Sequence, residues 1–259
     1  MDEAILSIFL ISVLVSISGN LAVFRKAFFL IAGVAHSALA GVALSLLLSS
    51  FGIHADYFLI ATTFAIAFAI LASAVSKFSD IDTGIAISFA LSMALAVIFI
   101  SLVRNVSAKL WSFLFGELLL VTPQDIFYLA ISAIFVIIIL GCVYEKILIF
   151  LFDPEGAKAS GLNTKLLDMA IVLIISISVV AVLRSVGAVL TYSIFVAPSA
   201  VAKEVAKSVE QSLVISFLIA FMSLFFGIII SILFPVSASA ISAFLVSMIY
   251  LGFVALKRR

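Results

Sequence analysis

This 259-residue chain is 66% apolar and only 10% charged, with a mean hydropathy of +1.46. Soluble domains are roughly half apolar and about a quarter charged, so a water-soluble fold is excluded and an all-α, polytopic membrane protein is expected. The net charge of +1 gives no field that would draw nucleic acid.

A membrane-crossing helix needs about 20 mostly apolar residues. Reading between charge clusters and turn residues predicts segments near 4–23, 28–50, 58–76, 84–103, 124–150, 168–186, 188–206, 211–233 and 236–256. Eight or nine crossings are therefore expected, and the 188–206 segment is interrupted by Gly187 and Pro198. A shorter piece, 110–120, is too short to cross. Met1-Asp2-Glu3 lacks the basic start of a signal peptide and leads straight into a full span. No repeat or linker divides the chain, which reads as one transmembrane domain, 1–259.

Basic residues accumulate on the cytoplasmic side and set orientation. With Lys257, Arg258 and Arg259 inside, alternation also places Arg25, Lys26, Lys77, Lys146, Lys158, Lys165, Lys203 and Lys207 inside. Only Arg104, Lys109 and Arg184 of the 14 basic residues fall outside. The outer loops are then those near 51–57 and 104–123. Arg184, close to an outer end, is expected to snorkel. Cys142 lies in an apolar run and is expected to be a small buried hydrophobe.

Within the second segment, His36 stands among small residues, Gly33-Val34-Ala35-His36-Ser37-Ala38-Leu39-Ala40-Gly41. An ionisable side chain at membrane depth is a functional candidate by default, and imidazole is the commonest metal ligand. His36 reads either as a transient metal contact or as a neutral histidine hydrogen-bonded within the bundle. In the outer loops, His54, Asp56, Glu117 and Asp125 are candidates for attracting cations or meeting a partner, with plain solvation as the alternative.

The one substantial polar interruption is the inward-facing stretch from Asp153 to Lys165. Asp153 suits an N-cap, Pro154 the first helical position and Gly161 the end of a helix of about two turns. Such a helix offers a grip to another protein. Pro198 removes a helix donor inside the membrane and is expected to shape a bend. The chain has no phosphate-binding Gly-x-x-x-x-Gly-Lys-Ser/Thr loop, no His-Glu-x-x-His and no Gly-x-Ser-x-Gly. No carboxylate lies between 4 and 50. No enzymatic activity of its own is expected, and energy for pumping would come from elsewhere. A stand-alone secondary carrier or channel remains the rival reading; it predicts intramembrane carboxylates and broken helices in repeated halves.

Several blocks together resemble the membrane subunits of ABC importers for zinc, manganese and iron. They are Ala35-His36-Ser37-Ala38-Leu39-Ala40-Gly41-Val42-Ala43, Asp82-Thr83-Gly84-Ile85-Ala86-Ile87-Ser88, the stretch from Leu114 to Asp125, and the stretch from Leu151 to Gly161. Val186-Gly187-Ala188-Val189-Leu190 and Ala197-Pro198-Ser199-Ala200-Val201-Ala202 follow in the same order. The resemblance implies the fold of cobalamin and siderophore importers, a homodimer in a prokaryotic cell membrane, two separate ATP-binding ATPase subunits, and an extracellular metal-binding protein that delivers cargo. It implies no permanently bound cofactor; the divalent metal is cargo, zinc or manganese first and iron next. The 153–162 helix matches the coupling segment, with Asp153, Glu155, Ala157 and Gly161 as its contact residues. His36 matches the metal pathway. Relatives often carry an aspartate four residues before that histidine and a proline before the glycine; here those positions are Ala32 and Ala40.

Overall fold

A computed structural model describes residues 2–54, 56–75, 81–103, 116 and 118–257. Among these residues every regular element is helical. Four long helices come first: α1 (Asp2–Phe24), α2 (Phe28–Ser50), α3 (Tyr57–Val75) and α4 (Ile81–Leu102). A 3-10 turn, Leu118–Leu120, precedes α5 (Pro123–Phe152), and the short α6 (Pro154–Ala159) leads into α7 (Thr164–Val205). Then come α8 (Val209–Leu233) and α9 (Ala238–Lys257). Eight of these helices contain a stretch long and apolar enough to cross a membrane.

The starts are written locally. Thr122 and Asp125 form a capping box at α5, with Pro123 in its first turn. Asn163 caps α7 by accepting from the Leu166 N–H at 3.1 Å, and Ser208 caps α8.

α7 holds the two segments expected at 168–186 and 188–206. Its helical dihedrals fail only at Gly187 (φ 80°, ψ 167°), a region open to glycine and costly for other residues. The chain doubles back there. On α1, the Ser18 hydroxyl donates to the Ser178 hydroxyl at 2.6 Å, on the first arm of α7. The adjacent Gly19 packs so closely on Ser199 and the Phe195 carbonyl, on the second arm, that a Cβ would collide with both. In a straight helix Ser178 and Ser199 would lie roughly 30 Å apart; neighbouring the same turn of α1, they belong to antiparallel arms. The second arm, 188–205, is roughly 27 Å long, slightly less than the roughly 30 Å thickness of a bilayer's hydrocarbon core. Helical geometry continues through Pro198, so the sharp break in this region is at Gly187.

Burial divides the helices. Ile8, Ile11 and Leu14 of α1, Leu30 and Ile31 of α2, and Ile171, Ile174 and Ile175 of α7 are fully enclosed. Large apolar residues of α4, α5 and α9 point outward, among them Ile98, Phe127, Ile134, Ile138 and Phe244. In a membrane these faces meet lipid, which is why apolar sequence does not imply burial. Cys142 illustrates it: the expectation of a buried thiol is corrected, since it is exposed on α5. Glu117, most of the 110–120 segment, Lys77, Arg104, Lys109, Arg258 and Arg259 lie outside the described residues.

Candidate functional site

The small residues around His36 let α2 and α3 approach to backbone contact. At Gly41 a Cβ would meet the Ala61 backbone and the Ile60 carbonyl at 2.7–2.8 Å; at Gly33 it would strike the Phe68 ring. His36 lies between these glycines along the helix and turns toward α4, where its ring packs edge-on against Phe89 at a centroid distance of 5.0 Å. Its Nδ1 sits 2.8 Å from the Ala32 carbonyl oxygen. A carbonyl only accepts, so Nδ1 is the donor in this contact, which in the neutral ring leaves Nε2 as the nitrogen with a lone pair. Orientation of a histidine through the nitrogen that does not ligate is the usual preparation for metal binding. The position where relatives often hold an aspartate thus still serves His36, through its backbone. Among the described residues no three His, Cys, Asp or Glu side chains group closely enough to hold a metal ion. One chain therefore brings one nitrogen ligand to this depth.

The short helix α6 is built as its residues suggest. The Asp153 carboxylate accepts from the Gly156 N–H at 2.9 Å, Pro154 occupies the first turn, and Glu155 is exposed. Ala157 is fully buried, which pins one side of the helix to the bundle. Gly161 (φ 81°) closes it: its N–H donates to the Lys158 carbonyl and the Leu162 N–H to the Ala157 carbonyl, a Schellman end. Sequence reasoning passed over Gly156. Any side chain there would collide with the Asp153 carboxylate, and the signal was the Asp-Pro-x-Gly order itself.

At one end of the bundle, Asp56 and Asp125 meet in one network. Asp125 pairs with Arg184 Nε at 2.5 Å and accepts from Thr122. The Arg184 guanidinium lies 4.6 Å from the centre of the Tyr128 ring, and the Tyr128 hydroxyl donates to Asp56 at 2.7 Å. Asp56 also accepts from the Phe58 and Leu59 N–H groups that start α3. Burial raises the Asp56 pKa, but the Tyr128 hydroxyl, the two N–H groups and Arg184 outweigh it and hold the carboxyl below its ordinary value. The expectation that Arg184 snorkels is corrected: its head group is committed to Asp125 and Tyr128. His54 stays exposed.

A matching cluster at the opposite end of α3 had no sequence signal, because its members come from three helices. Arg25 at the end of α1 pairs with Asp168 of α7 at 2.6 Å, and Ser73 of α3 donates to the other Asp168 oxygen at 2.9 Å. The two clusters tie α3 to its neighbours at both membrane faces.

Comparison with known proteins supplies the rest. The model of the ABC 3 transport family matches residues 1–257. The chain belongs to the ABC 3 transport family. Over 204 residues it is 31% identical to the manganese transport system membrane protein MntC of Listeria monocytogenes, covering 78% of this chain and 71% of that one. It is 28% identical to the high-affinity zinc uptake system membrane protein ZnuB of Haemophilus influenzae, over 77% of this chain and 76% of that one. Among solved structures, PsaBC from Streptococcus pneumoniae in complex with Fab matches 97% of this chain and 90% of its own with a TM-score of 0.84. At 24% identity that likeness speaks for the fold. This family member is a multi-pass protein of a prokaryotic plasma membrane.

Proposed function

We propose that the chain is the membrane subunit of an ATP-binding cassette importer for divalent transition-metal ions, manganese or zinc, with iron within the same chemistry. The observation that carries the proposal is the family match across 1–257, joined to relatives named for manganese and zinc transport. His36, with one nitrogen oriented by Ala32 and the other left to ligate, supports a metal pathway through α2. Residues 1–259 act as one transmembrane domain and hydrolyse nothing themselves.

In this mechanism two copies of the chain enclose a pathway, and an extracellular metal-binding protein presents the ion at the outer mouth. His54 and Glu117 are the residues that meet that protein. Asp56 and Asp125 contribute by holding the rim in shape. His36 replaces part of the ion's water shell midway. A lone imidazole from each copy binds weakly enough to let go, and nitrogen ligands suit both candidate metals without choosing between them. Two separate ATPase subunits grip α6 from the cytoplasm. Asp153 and Gly161 hold that helix in shape, Ala157 anchors it to the bundle and Glu155 reaches the partner. ATP-driven closure of those subunits moves α6 and reorients the spans, with the Pro198 arm of α7 carried along.

The test is purification of the chain from its own membranes with whatever ATPase accompanies it, alongside Glu155→Arg and His36→Ala. An ATPase should co-elute with wild type and be lost with Glu155→Arg. His36→Ala should keep the ATPase but lose at least ten-fold in Mn²⁺ or Zn²⁺ uptake. Absence of any ATPase, with metal moved by the chain alone in vesicles, overturns the proposal in favour of a carrier.

A further inference from the structure

A cavity of about 680 Å³ opens between the inner ends of α2 and α4 on one side and α9 and the second arm of α7 on the other. Its polar lining is Lys26, Asp82, Tyr192, Ser193, Ser247 and Tyr250. The cavity stands in register with His36. Phe29, on its wall, lies seven residues before His36 on α2, and Asp82 lies seven before Phe89 on α4. Seven residues are two helical turns, so each pair shares a face of its helix at a separation of about 10 Å. The faces of α2 and α4 that bring His36 against Phe89 therefore continue, two turns nearer the cytoplasm, as two walls of this cavity.

The lining changes the ligand chemistry. Above, one imidazole nitrogen is offered; below, the donors are a carboxylate, phenols and hydroxyls, the oxygen set that suits harder cations. Lys26 opposes them with an ammonium group. It ends α1 in the left-handed conformation (φ 59°), the only described non-glycine residue with positive φ. Its N–H donates to the Val23 carbonyl and the Ala27 N–H to the Ala22 carbonyl, the end normally given to glycine. A lysine there strains the backbone and places a cationic side chain at the cavity. Among the described residues Lys26 and Asp82 form no ion pair with each other or with another side chain. One carboxylate facing water attracts a divalent cation but, lacking further ligands, does not hold it. With an ammonium facing the same space the local charge balances, and a cation is passed on.

We infer that this cavity is the cytoplasmic exit of the metal pathway, with Asp82 drawing the ion down from His36 and Lys26 driving its release. The inference rests on the importer reading given above.

The test uses the complete importer in cells and in inside-out vesicles, with Mn²⁺ and Zn²⁺ as probes. Asp82→Asn should lower the initial uptake rate at least five-fold while ATPase co-purification is unchanged. Lys26→Gly, which relieves the backbone and so cannot fail by misfolding there, should lower the maximal rate at least three-fold through slow release. The double variant, again without net charge, should recover part of the loss. Independently, Ser247→Cys in a Cys142→Ser background should react with a membrane-impermeant maleimide applied to the cytoplasmic face, and the reaction should stop uptake. Wild-type rates in both single variants, or uptake that survives labelling of Ser247→Cys, overturn the exit assignment while leaving the importer intact. A wild-type importer that moves neither Mn²⁺ nor Zn²⁺ overturns the importer reading, and the exit with it.

Discussion

Two helix interfaces in this protein solve the same problem in opposite ways. α2 and α3 meet through glycine and alanine, with Gly41 against the Ala61 backbone and Gly33 beneath the Phe68 ring. α1 meets α7 and α8 through buried polar groups. The Asn20 amide donates to Ser216 and to the Ser16 carbonyl at 2.7 Å and accepts from Ser212 at 2.6 Å, while Ser18 reaches Ser178. Lipid tails are as apolar as leucine, so apolar contact alone does not choose a partner helix; close backbone approach and interhelical hydrogen bonds do. The dry interface lies beside His36 and is built on glycine, alanine and the Phe68 ring. The polar one anchors the reversing α7 to the rest of the bundle.

Substitutions separate the two designs. The largest effect is expected from Gly41→Leu, which sets a side chain against backbone that has no room to give. It should destabilise the protein by about 3 kcal/mol, read by SDS-titrated unfolding in mixed micelles. Gly33→Ala should cost clearly less, because the Phe68 ring can turn aside; equal losses at both glycines would contradict the account of the dry interface. Arg184→Gln comes next at about 2 kcal/mol, since it strands the half-buried Asp125 carboxylate. Resistance to extracellular protease should fall in the same variant, the outer ends of α3, α5 and α7 losing their shared tie.

Asn20→Leu should cost about 1 kcal/mol, in keeping with the modest net worth of hydrogen bonds between helices in lipid. If it instead matched Gly41→Leu, the polar seam would be the stronger of the two designs. The smallest effect belongs to Asp56. Its folded pKa lies below the unfolded one, so its contribution is complete above the unfolded value and disappears as pH falls through the folded one. Asp56→Asn keeps an N-cap for α3, so at pH 7 it should lower the melting temperature only slightly. That difference from wild type should vanish on acidification below the ordinary carboxylate range. A gap that persists in acid would show that charge plays no part.

Much of this molecule is legible in its residues, for physical reasons that can be named. Spans announce themselves because lipid leaves a backbone no alternative to continuous helix. Local chemistry is equally direct: Asp153, Pro154 and Gly161 specify α6 through contacts within a few positions, and the structure forms that helix at Pro154–Ala159. His36 stood out as an imidazole among small residues at membrane depth. The Asp125 pairing with Arg184 and the Asp56 pairing with Tyr128 were hidden, since each unites residues far apart in the chain. For the same reason nothing in the sequence joined Arg25, Ser73 and Asp168.

The sequence by itself determined the all-helical membrane architecture, the approximate span positions and the capped short helix α6, because apolar length and local hydrogen bonding act within one segment. The tertiary structure decided which carboxylates are committed to partners and that Cys142 faces outward. It also decided that the break the sequence offered at Gly187 or Pro198 falls at Gly187, and that His36 shares its faces of α2 and α4 with a cavity. Those outcomes depend on which helices lie side by side, and in lipid that choice rests on close backbone approach and matched polar groups, which span distances in sequence that no local pattern records.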